Sequence, residues 1–100
     1  MATLGILITS ERYSAYANEL ARAAHQKGHA VRLHLTGPGV KICHTAAFKR
    51  LSTWAEVTIC RHSAEQLGLV EALEKTSPHL LMAENHMAEI IMASDRHLVL

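Results

Sequence analysis

Short apolar runs separated by stretches of helical length constrain this chain more than any single residue does. Residues 3–9 (TLGILIT), 30–36 (AVRLHLT), 55–60 (AEVTIC) and 97–100 (HLVL) each have the length and content of a strand. The stretches between them are too long for hairpin turns and carry helical patterning, so the strands return parallel to one another. The chain therefore reads as α/β: a three-layer α/β/α arrangement around an open, mainly parallel sheet of four or five strands. The first run is apolar on both faces and belongs in the sheet interior. The second and third alternate: Val31, Leu33 and Leu35 oppose Arg32, His34 and Thr36, and Val57 and Ile59 oppose Glu56, Thr58 and Cys60. They are placed outward of the first strand, on one side of it.

The intervening segments read as helices. Tyr13, Ala17, Leu20, Ala21 and Ala24 recur at helical spacing after a Thr9-Ser10-Glu11 start, and Lys27-Gly28 ends that helix. After the Gly37-Pro38-Gly39 turn, residues 40–51 read as one helix carrying Cys43, Ala46, Ala47 and Leu51. Ser63-Ala-Glu-Gln66 has the spacing of a capping box, opening a helix toward Leu67 with a break at Gly68 or a continuation through Leu73. Ser77-Pro78 stops it. Residues 79–83 form a fifth strand or the approach to a helix over 83–93, with Met87, Ile90 and Ile91 inward. No repeat or linker divides the chain, so residues 1–100 form one domain.

Half of the 100 residues are apolar and the formal net charge is +1, which is globular composition without a nucleic-acid footprint. Lys49-Arg50 is the sole adjacent cationic pair. No apolar run reaches bilayer-spanning length, and the N-terminus lacks the positive region of a signal peptide. The expectation is a cytoplasmic protein without membrane or nucleic-acid partners. Its two cysteines then read as free or redox-active thiols rather than a structural staple. With so small a core, the thinly covered polar face of the second and third strands is expected to meet another subunit.

In open α/β sheets, chemistry sits beyond the carboxyl ends of the strands. Three loops converge there: Ser10-Glu11-Arg12-Tyr13, Gly37-Pro38-Gly39 and Cys60-Arg61-His62. Cys60 ends a strand, precedes a helix start and is followed by two basic side chains. Helix N-termini and neighbouring cations lower a thiol pKa, and the thiolate is the reactive form. The plainer reading is a small buried core residue. Cys43 is a second thiol near the same edge, and a Cys43–Cys60 disulfide is left open. The eight histidines, His25, His29, His34, His44, His62, His79, His86 and His97, lack the spacing of a metal site, and neither a metal nor a cofactor is expected. A Cys60–His62–Glu65 triad places the imidazole too close along the chain to orient it. No phosphate loop is present, since Gly37-Pro38-Gly39 is not G-x-G-x-x-G. Met82, Met87 and Met92 read as packing residues.

Glu56-Val57-Thr58-Ile59-Cys60, followed by Ala64 and Leu67-Gly68-Leu69, resembles the DsrE/DsrF-like family, which includes the TusD-type subunits of sulfur-relay complexes. Residues 87–100 look like that family's closing helix, Asp95-Arg96 turn and final strand, and Lys27-Gly28-His29-Ala30-Val31 also fits. The resemblance covers nearly the whole chain and rests on the order of short motifs. It implies a three-layer fold assembled as trimers or hexamers, alone or with related subunits. It also implies a cysteine, Cys60 here, that takes sulfane sulfur from a donor protein as a persulfide and passes it to an acceptor. Arg61 and His62 would tune that thiolate, and the backbone at Ser63 and Ala64 would hold it. Two positions depart from the pattern. Leu67 stands where the family has Arg, and Ser63 stands where some members have a second cysteine. The short segment between the second helix and third strand leaves little room for the docking surface of longer relatives. Two other readings remain open: a non-catalytic oligomeric binding or scaffold module, and a Cys43/Cys60 redox sensor.

Overall fold

The computed structural model describes residues 2–100. Strands β1 (Thr3–Ile8), β2 (Ala30–Leu35), β3 (Glu56–Cys60), β4 (Leu81–Met82) and β5 (Arg96–Val99) form one parallel sheet in the order β4-β3-β2-β1-β5. Helices α1 (Ser14–Gln26), α2 (Ala46–Trp54), α3 (Arg61–Gln66), α4 (Val70–Thr76) and α5 (His86–Ala93) connect them. This is the expected α/β three-layer architecture. β1 is interior, flanked by β2 and β5. β2 and β3 lie on one side of β1 as expected, but the centre of the sheet is β2 rather than β1, and the edges are β4 and β5. Polar alternation misled the placement because His34, in the middle of the polar face of β2, is buried against His86 of α5, while Arg32 and Glu56 keep their contact with solvent.

The two faces differ in kind. On the first, Ile6, Ile8, Val31, Leu33, Leu35, Val57 and Ile59 pack with residues of α1 to α4, including Ala17, Ala21, Leu51, Ala64 and Leu73. This is the main core, and small residues on α1 let helix and sheet approach closely. On the second face, Leu7, His34, Thr58, Cys60 and the α5 residue Ile90 are buried. α5 is the one helix of that layer among the described residues.

The span read as one helix over 40–51 is two elements. A 3-10 segment covers Gly37–His44, and α2 begins after an extended Thr45 (φ −110°, ψ 161°). Thr45 turns its amide and its hydroxyl onto the Ile42 carbonyl, closing the first element before the second starts. Gly68 does break the next helix: at φ 71° it separates α3 from α4, where an L side chain would be strained. The last helix starts at His86 rather than 83, after a strand of only two residues.

Candidate functional site

The carboxyl ends of β1, β2 and β3 open into the three loops expected there, and the loops are joined. Ser10 accepts a hydrogen bond at Oγ from the Arg12 amide (3.1 Å) and so caps the 3-10 turn Glu11–Tyr13. Arg12 and Tyr13 are left exposed. That turn packs against the 3-10 segment beginning at Gly37, which in turn packs against α3. Gly39 is buried at the end of β1, and a Cβ there would collide with the Ile8 carbonyl oxygen. The Gly37 amide donates to Ser63 Oγ (2.8 Å), and Thr36 Oγ1 lies 3.3 Å from the same oxygen.

Ser63 is therefore a bolt between the second and third loops, not the N-cap of a capping box. The helix begins two residues earlier, at Arg61, with Cys60 in the N-cap position (φ −67°, ψ 116°). Because Ser63 is the third residue of α3 and not its cap, its side chain is free to reach across to Gly37. Ala64, beside it, is wholly buried in the main core.

Cys60 is 4 % exposed. Its side chain makes no capping hydrogen bond to the first turn of α3. On the adjacent edge strand it stands in register with Met82. The two basic neighbours are committed elsewhere. Arg61 donates to Glu74 of α4 and lies 3.6 Å from Glu65, and His62 Nδ1 is 3.3 Å from Glu84. These pairs tie α3 to α4 and to the loop before α5, and those of Arg61 spend the guanidinium charge expected beside the thiol.

Cys43 is half-buried in the Gly37–His44 segment, packed against the main core, while Cys60 lies with Thr58 on the second face. Both thiols are free. Burial pushes the Cys43 thiol above its ordinary pKa, against a smaller opposing hydrogen bond from its own backbone. Among the described residues, no group of three or more His, Cys, Asp or Glu side chains is arranged to hold a metal ion.

The sequence reading missed His34. It stands mid-strand on the polar face of β2, yet it is fully buried, with Nδ1 2.8 Å from Thr58 Oγ1 and its ring 5.5 Å from that of His86, edge to face. The available signal was the matched alternation of Arg32-His34-Thr36 and Glu56-Thr58-Cys60, whose middle members meet in the sheet. No helix among the described residues is long and apolar enough to cross a membrane. The chain matches no protein-family model and no curated protein sequence.

Proposed function

We propose that the chain is a cytoplasmic sulfur carrier, a sulfurtransferase-like protein relaying sulfane sulfur as a persulfide on Cys60. It would work as a trimer or hexamer, alone or with related subunits, between a donor and an acceptor protein. The observation carrying this reading is the position of Cys60: the last residue of an interior parallel strand and the N-cap of α3, in a cluster of three joined loops. Position and resemblance coincide at one atom. In the forward step the Cys60 thiolate attacks the outer sulfur of the donor's persulfide. A sulfur–sulfur bond forms on Cys60, the donor's breaks, and the donor cysteine leaves as a thiolate. The acceptor's thiolate repeats the exchange, so no external oxidant or reductant is needed.

Intact-mass measurement after incubation with a persulfidated donor tests it. The expected result is a gain of one sulfur on the parent chain and on Cys43→Ser, and none on Cys60→Ser. No uptake, or uptake carried by Cys43, overturns the assignment.

The 4 % exposure of Cys60 and the pairing of Arg61 with two carboxylates favour a second reading, a non-catalytic oligomeric module. There, Cys60→Ala leaves assembly intact and no variant takes up sulfur. A Cys43/Cys60 redox pair has no geometric support, since the two thiols pack on opposite faces of the sheet.

A further inference from the structure

The second face of the sheet depends on one eight-residue helix. Toward its C-terminal end α5 approaches β1 so closely that a Cβ on Gly5 would lie 2.5 Å from Ser94 Oγ and 3.1 Å from Ile90 Cγ2. At its N-terminal end the contact is imidazole on imidazole, His86 against His34. Each ring spends Nδ1 on a neighbour: His34 on Thr58, and His86 on Glu89 Oε2 at 3.2 Å. Each ring also has a buried Nε2 with no partner.

We propose that the His34–His86 contact is an acid-sensitive latch: a proton taken up by His34 releases α5 from the sheet while the main core stays folded. A neutral ring tolerates an unpartnered Nε2. A protonated ring has a buried N–H with no acceptor and a charge with no counter-ion, both costly away from water. The surrounding groups do not supply one. β1 presents Gly5 and Leu7. On β2, Arg32 shares the face and pairs with Glu56 of β3 at 3.8 Å. β3 otherwise offers the Thr58 hydroxyl and the Cys60 thiol. From α5, His86 adds like charge when protonated, and Glu89 is engaged by His86.

The direction follows from where the proton prefers to be. In the docked state, burial first and the neighbouring His86 second lower the His34 pKa from 6.5 to about 4. Docking is thus fully favoured above the ordinary value of 6.5 and weakens as pH falls from there toward 4. The limit is about tenfold in the docking equilibrium per pH unit. α5 yields before the main core because the helix is short and this contact holds its N-terminal end.

Hydrogen exchange on the full chain tests the latch. Between about pH 7 and about pH 5, the α5 opening constants, corrected for intrinsic exchange, should rise by roughly twentyfold. Those of α1 should rise less. His34→Gln should remove the α5 rise. If that variant does not fold, the parent decides by proton NMR, where the His34 ring should titrate well below its ordinary value. The proposal is overturned if α1 and α5 open together, if the rise persists in His34→Gln, or if the His34 ring titrates in its ordinary range.

Discussion

At the scale of single residues, Ser63 has one job that a capping serine does not. It accepts the Gly37 amide in a partly buried setting between two loops. Ser63→Ala leaves the amide unpaired and should cost about 1–2 kcal/mol, seen as a lower urea midpoint with an unchanged slope. Gly39→Ala meets a harder obstacle, since the Ile8 carbonyl is backbone and already accepts from the Thr36 amide. A loss of about 1–3 kcal/mol or more is expected, larger than for Ser63→Ala in the same assay. Arg61→Ala should move stability by under about 1 kcal/mol, because both its carboxylate partners are exposed to water. The site was legible here only in part. The position of Cys60 at a strand end and the convergence of its loops follow from strand order along the chain. The pairing of Arg61 and His62 with Glu74 and Glu84 does not, because those carboxylates come from later elements whose packing no local spacing encodes.

At the scale of elements, periodicity located β1, α1, β2 and β3 to within a few residues, since each has a length and pattern that only one structure satisfies. It failed where a short apolar span suits two structures. Residues 40–51 have one continuous apolar face, yet Pro38 and the Ile42–Thr45 hydrogen bonds close a 3-10 segment before α2 can start. β4 is two residues long, below what alternation can register. α5 was found, but what lies beneath it was not, because a polar strand face predicts solvent unless the covering helix is known. Gly5 identifies that cover from the other side. Gly5→Ala puts a methyl group against Ser94 and Ile90, and Ser94 Oγ is itself held on the Ile90 carbonyl at 2.6 Å. The expected loss is about 1–3 kcal/mol. It should fall on the protection of α5 amides and spare those of α1, a contrast that hydrogen exchange reads directly. Equal losses in both helices would place Gly5 in the main core instead.

At the scale of the whole molecule, the sheet closes its order with the end of the described chain. β5 pairs with β1, and the two are tied beyond the ladder: Asp95 donates its amide to Thr3 and accepts the Thr3 amide at Oδ2 (2.7 Å), while the Leu100 amide donates to Leu7 (2.7 Å). β5 buries little, with Arg96, His97 and Val99 all exposed, so it contributes mainly hydrogen bonds. Its second contribution is to the character of the edge. With β5 in place, the outermost strand carries a cation and an imidazole, side chains that resist strand addition. Without it, the edge becomes β1, whose Leu4-Gly5-Ile6-Leu7-Ile8 run is apolar on both faces and whose outward amides and carbonyls lose their partners. A chain ending at Asp95 should therefore lose about 3–6 kcal/mol of stability, from several backbone bonds at about 1 kcal/mol each. It should also associate without a fixed stoichiometry as concentration rises, by light scattering. Asp95→Ala in the full chain removes only the side-chain tie and should cost about 1 kcal/mol with no such association. A truncated chain that stays dispersed and keeps the parent urea midpoint would show that β1 does not need its neighbour, and that the exposed edge residues of β5 are incidental.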